Sequence, residues 1–238
     1  MGKKKATSKG ALKGPAKRPS PPTPALPADE RKSQAKRVVR RLKADYPEAP
    51  CALVHETPYQ LLIATILSAQ CTDERVNIVT EKLFATHPDA HAIAKMPIAK
   101  LEKAVQSTGF FRNKAKNVKA CSEELVEKFD GQVPEDLDTL VGLAGVGRKT
   151  ANVVLGTAFS IPTGVVVDTH VGRLSRRLGL TAQKDAVKVE NDLIDILPKK
   201  EWIDFSHRMI HHGRAVCNAR KPDCGACSMQ KFCPQIGV

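Results

Sequence analysis

From Asp29 onward the apolar residues recur at three- and four-residue intervals, the spacing that gathers them on one face of an α-helix. Val38, Val39 and Leu42 carry such a face through a helix that starts at Asp29-Glu30 and stops before Pro47. Thr57-Pro58 reads as a cap and a first-turn residue, with Leu61, Leu62, Ile66 and Leu67 forming the stripe behind it. The same spacing predicts helices over 75–84, 98–105, 114–129, 136–143, 148–159, 169–178, 184–197 and 201–217. Val165-Val166-Val167 is the only run suited to a strand, and it is too short to build a sheet. The expected class is all-α.

Residues 1–28 break the pattern. They are rich in Lys, Ala, Ser and Pro, with six prolines between Pro15 and Pro27 and no acid. Too little apolar surface is present to offset ordering entropy, so a disordered basic arm is expected. A mitochondrial address is the weaker reading, because the stretch is Lys-rich and lacks an apolar helical face. No apolar run approaches a membrane span and no signal-peptide core follows Met1, so a cytoplasmic protein is expected.

The formal charge of +13 includes seven cations in that arm, leaving +6 on the remainder. A basic body is drawn to polyanions, of which nucleic acid is the commonest inside cells. Aromatic residues make up only 4%, which argues against a single-strand binder built on base stacking. Four of the seven cysteines crowd together as Cys217-x6-Cys224-x2-Cys227-x5-Cys233, while Cys51, Cys71 and Cys121 are scattered. In an intracellular chain such a cluster points to metal rather than disulfides. Four thiolates suit either a structural zinc or a [4Fe–4S] cluster, and the spacing alone does not choose.

The most informative stretch is Leu143-Ala144-Gly145-Val146-Gly147-Arg148-Lys149-Thr150-Ala151. An apolar helix runs into Gly-Val-Gly and a second helix begins at once. Gly145 and Gly147 permit close backbone approach just before a helix N-terminus, where free N–H groups and the dipole favour a phosphate. Such a hairpin, with Arg148 beside it, grips backbone without reading bases. A P-loop does not fit, since Arg148 stands where its lysine would be and no strand precedes. A plain glycine-rich turn between packed helices is the bland reading.

With Val165-Val166-Val167-Asp168-Thr169-His170 downstream, the hairpin resembles those of the helix-hairpin-helix DNA glycosylases, and most of all the endonuclease III family. The resemblance spans residues 30 to 234 and implies a helix-hairpin-helix glycosylase fold with DNA in the cleft between two domains. A six-helix barrel is expected over 52–161, with the hairpin at about 136–159. Residues 29–51 and 162–238 would form a discontinuous iron–sulfur domain. The four cysteines match the family pattern, so the resemblance implies a [4Fe–4S] cluster held by Cys217, Cys224, Cys227 and Cys233. Arg220 and Lys221, in the longest interval, would then face phosphates, with Asp223 working against them.

The implied activity is a base-excision glycosylase with abasic-site lyase activity, acting as a monomer on oxidised pyrimidines in duplex DNA. Lys149 would attack C1′ and form a Schiff base, and loss of a C2′ proton would expel the 3′ phosphate. Asp168 would stabilise the cationic sugar, although its place before a helix also makes it a natural N-cap. His170 in Asp-Thr-His also matches the family, either toward DNA or as a structural hydrogen-bond partner. Ser68-Ala69-Gln70-Cys71-Thr72-Asp73 resembles the segment whose glutamine fills the space left by an extruded nucleotide, which nominates Gln70. Gly109-Phe110-Phe111-Arg112 resembles a second intercalating loop, with Phe110 standing where the family usually carries an aliphatic wedge. Phe110 could equally be a core aromatic. The interval from Lys149 to Asp168 is one residue longer than the family pattern, placed in Ile161-Pro162-Thr163-Gly164. Three rival functions fit the same scaffold less well or leave less to read. An adenine-mismatch glycosylase lacks the lysine and carries a further domain. A pyrimidine-dimer or mismatched-thymine glycosylase on the same scaffold stays open, because pocket-lining residues are not readable from sequence. A catalytically silent iron–sulfur DNA-binding module would keep the hairpin and the cysteines without the chemistry.

Overall fold

The computed structural model describes residues 26–238, and the proposed arm falls almost wholly outside that range. The described chain is helical with no strand. Its α-helices are α1 (Ala28–Asp45), α2 (Pro58–Leu67), α3 (Asp73–Phe84), α4 (Ala90–Lys95), α5 (Ile98–Val105), α6 (Phe111–Phe129), α7 (Leu137–Val141), α8 (Arg148–Phe159), α9 (Thr169–Arg177), α10 (Ala186–Ile196) and α11 (Trp202–Ala215). No helix among the described residues is long and apolar enough to cross a membrane.

Polar side chains mark most of the helix starts. Thr57, Thr72, Asp89, Asp136, Asp168 and Asp185 each accept a backbone N–H from the first turn that follows. Such caps contribute about 1 kcal/mol each. Two expectations need correction. Val165–Val167 is not a strand but part of the linker into α9, where Val165 and Val167 turn into the core and no neighbouring strand offers a ladder. The short helix α4 was not predicted, because six residues hold too little periodicity to register against their flanks.

Two hydrophobic clusters divide the chain. The first runs from Leu53 to Leu155 around α2, whose Leu61, Leu62, Ile63, Ala64 and Leu67 are fully buried. The second combines Ala35, Val38 and Leu42 of α1 with residues from Val165 to Met229. Burying a Leu or Ile side chain contributes roughly 1.5–3 kcal/mol, so each cluster is a substantial core. Helix α8 joins the two. It packs against α2 and α7 on one side and α11 on the other, where the position of a Gly156 Cβ would lie 3.1 Å from Ile203.

Candidate active site and metal centre

The turn before α8 is built on two different glycine properties. Gly145 has φ +75°, and a Cβ there would stand 2.7 Å from the Asn117 Cβ on α6. A larger residue would be strained by conformation and by contact. Gly147 has an ordinary extended backbone and is the N-cap of α8, with no side chain capping the helix. Nothing lies within 4 Å of where its Cβ would point. The first N–H groups of α8 are thus approachable, and no acidic residue occupies that turn.

Lys149 is exposed on that turn. Arg148 beside it is committed in part to the protein: its Nη2 lies 3.3 Å from Glu190 Oε1 on α10. Glu190 is buried and also accepts from Asn152 Nδ2 at 3.1 Å, while Asn152 Oδ1 accepts from the Thr163 hydroxyl at 2.8 Å. A Cβ on Gly164 would fall 2.1 Å from Glu190 Oε1. The loop before Asp168 is therefore pinned by this network.

Asp168 caps α9, its Oδ1 accepting the Val171 N–H at 2.7 Å. The cap fixes the carboxyl on the wall of the cleft that also holds Lys149. The two line the same cavities at the junction of the hydrophobic clusters, the larger measuring about 1040 Å³. Gln70 and His170 line that larger cavity too, so four of the residues nominated from sequence meet in one cleft. His170 Nδ1 lies 3.3 Å from Arg173 Nη2. A guanidinium only donates, so Nδ1 accepts and the neutral ring carries its proton on Nε2. Burial pulls the His170 pKa below its ordinary value; Asp168 pushes the other way, and Arg173 and Arg214 add to the lowering.

One residue of the cleft, Arg214, escaped the sequence reading. Arg214 at the end of α11 is paired with Asp73 at the start of α3, 2.5 Å apart, and the pair bridges the two clusters at the cavity wall. Asp73 was visible as a motif member, but nothing in sequence links it to a residue 141 positions away.

Gln70 and Phe110 stand at the tips of separate loops, both with left-handed backbones (φ +53° and +47°). Phe110 is 67% exposed, which removes the core reading; Phe111 is the ring that packs against the first cluster. Phe110, Gly145, Gly147, Arg148, Arg220 and Lys221 do not line the cavity with Lys149.

Cys217, Cys224, Cys227 and Cys233 line one largely apolar cavity of about 410 Å³ beside α9 and α11. Among the described residues no group of three or more His, Cys, Asp or Glu is arranged to hold a single ion. Two of the four sulfurs have donors directed at them. Buried Arg177 places Nη1 3.3 Å from Cys217 Sγ, and the Gln235 N–H donates to Cys233 Sγ at 3.4 Å. The same guanidinium donates to the Asn218 and Ala219 carbonyls at 2.7 and 2.9 Å, and Arg173 donates to the Cys217 carbonyl at 3.0 Å. The loop after Cys217 is thereby fixed, and Arg220 and Lys221 are exposed on it. Asp223, exposed on the same loop, accepts the Ala226 N–H at 3.1 Å.

The HhH-GPD superfamily base excision DNA repair protein model matches residues 63–199. An endonuclease III from Synechocystis sp. is 54% identical over 204 residues, covering 86% of this chain and 93% of the relative. Two solved structures superpose with a TM-score of 0.81 each: a non-covalent endonuclease III–DNA complex, 44% identical, and a trapped endonuclease III–DNA covalent intermediate, 43% identical. Each covers 86% of this chain, and 95% and 96% respectively of its own.

Proposed function

The chain belongs to the HhH-GPD superfamily of base excision DNA repair proteins, and within it to the endonuclease III family; from that premise we propose how its residues divide the work of the reaction. The protein is a base-excision repair glycosylase and abasic-site lyase that binds damaged duplex DNA. Oxidised pyrimidines are its proposed substrates. The observation that carries the residue assignment is that Lys149 and Asp168, from the starts of two successive helices, line one cleft between the two hydrophobic clusters.

Lys149 is the nucleophile. Its exposed amine attacks C1′ of the extruded nucleotide, the base leaves, and a Schiff base to the sugar remains. Loss of the C2′ proton then breaks the bond to the 3′ phosphate. Asp168 faces the positive charge that develops on the sugar, and its cap bond holds the carboxyl so that little reorganisation is needed at the moment of reaction. The open N-terminus of α8 receives a backbone phosphate. Gln70 fills the vacated space in the stack and Phe110 wedges beside it.

Cys217, Cys224, Cys227 and Cys233 would hold a [4Fe–4S] cluster. The donors aimed at two of the sulfurs support thiolate ligation. When bound, the cluster supplies cross-linking that shapes the loop carrying Arg220 and Lys221. Residues 29–51 and 162–238 are proposed as its domain, and 52–161 as the barrel.

Borohydride reduction tests the central assignment. The protein is expected to become covalently joined to abasic duplex DNA, and Lys149→Gln to form no adduct while still binding the duplex. Trapping undiminished in Lys149→Gln would remove Lys149 from this role.

A further inference from the structure

Lys114 lies in the first turn of α6 and is only 5% exposed. A buried ammonium is costly unless its donors are used, and charged groups are seldom placed inside a protein without partners. Its Nζ donates to the Leu67 carbonyl at 2.9 Å and to the Thr108 carbonyl at 2.6 Å. Both acceptors end an element. Leu67 closes α2, three residues before Gln70, and Thr108 closes the 3₁₀ turn Gln106–Thr108, two residues before Phe110.

The backbone of Lys114 takes part as well, its N–H donating to the Phe110 carbonyl at 3.1 Å. Gln70, Gly109 and Phe110 all have positive φ (+53°, +71° and +47°). For Gln70 and Phe110 this conformation is disfavoured, so the surroundings must hold it. The terminal carbonyl of α2 has no partner within its own helix and carries the negative end of the helix dipole. Water would ordinarily satisfy such a group. Here one lysine satisfies both ends at once and spans two loops separated by about forty residues of chain.

We infer that Lys114 is a positioning residue that joins the Gln70 and Phe110 loops into one rigid unit, so that plug and wedge enter the duplex at a fixed separation. The amine touches neither substrate nor reacting atoms. The inference rests on the proposed roles of Gln70 and Phe110. Its consequence is selective: the tie matters when a paired nucleotide must be forced from the helix, and not when the sugar is already accessible.

The test compares two substrates, a duplex containing an oxidised pyrimidine and a single-stranded abasic oligonucleotide. Wild-type protein that cut neither would refute the underlying glycosylase–lyase reading rather than the role of Lys114. Given wild-type cleavage of both, Lys114→Met is expected to lower kcat/KM on the duplex on the order of ten- to a hundredfold, the range expected when groups near the chemistry are misplaced by about an ångström. The duplex-to-single-strand activity ratio should fall by the same factor. Lys114→Gln, which reaches at most one carbonyl and spares the packing volume, should give an intermediate ratio and supplies the answer if Lys114→Met does not fold. A double-mutant cycle with Gln70→Ala should be non-additive, the second substitution costing less once the first is present. An unchanged ratio, whether activity is lost equally on both substrates or on neither, or strict additivity with Gln70→Ala, would overturn the inference.

Discussion

Arg148 at the head of α8 and Glu190 on α10 lie 3.3 Å apart, so the first turn of α8 is tethered to the second hydrophobic cluster. The residue next to Arg148 is Lys149. A salt bridge with a half-exposed partner is worth only about 0–1 kcal/mol by itself. Glu190 matters more through Asn152, whose buried amide has this carboxylate as its acceptor.

Glu190→Ala would leave that amide unsatisfied and Arg148 unpaired. The expected loss is about 1–3 kcal/mol of stability, read as a lower urea midpoint with an unchanged slope. Lyase activity should fall with it, because the turn bearing Lys149 loses its anchor. A midpoint equal to wild type would show that the network contributes nothing.

Asp168 has two duties that substitution can separate. Asn caps helices as well as Asp, so Asp168→Asn should keep the Val171 contact and the melting temperature. Without the charge, single-turnover base excision should drop on the order of 10²–10³-fold. Asp168→Ala should lose that activity and about 0.5–2 kcal/mol of stability besides. If the Asn variant excised at the wild-type rate, Asp168 would be a cap and nothing more.

For the cysteine cavity, the purified protein should be brown and contain iron and acid-labile sulfide in equal amounts. Cys227→Ser should lose colour, iron and sulfide together and weaken duplex binding through the unfixed loop. Stoichiometric zinc without sulfide would replace the cluster by a single-ion site.

Arg220 and Lys221 stand exposed on the loop that Arg177 fixes. Each phosphate contact releases counterions, so log affinity should fall linearly with log salt. Replacing both by Ala should make that slope shallower by about two, one per contact, and weaken all sequences alike. An unaltered slope would place DNA elsewhere.

His207, near the end of the cavity wall on α11, has its pKa drawn below the ordinary 6.5 mainly by burial, with Asp204 opposing and His211 assisting. In the folded state it binds its proton only at lower pH than in the unfolded chain. Its contribution to stability is therefore complete above 6.5 and lost as pH falls through 6.5 toward the folded value. His170 acts in the same sense. Urea titrations between about pH 7 and pH 5 should show falling stability, and His207→Gln should reduce the steepness by at most about 1.4 kcal/mol per pH unit. Equal steepness in the variant would exclude this titration.

Much of the protein is decided locally. Helices α5 and α8 occur with the ends the periodicity predicted, and Thr57 caps α2 as expected, because spacing and capping act within a few residues. The Gly-Val-Gly turn was legible for the same reason: a positive φ and a bare Cα are properties of the residue that stands there. Other features exist only after the chain closes on itself. Arg214 meets Asp73, Glu190 meets Arg148, and Lys114 meets two helix-end carbonyls because packing two cores around α8 brings distant segments together. Phe110 and Phe111 are adjacent and chemically identical, yet one is exposed and the other packs against the first core. No local propensity separates two neighbouring rings; the backbone turn at Gly109-Phe110, held by long-range contacts, does.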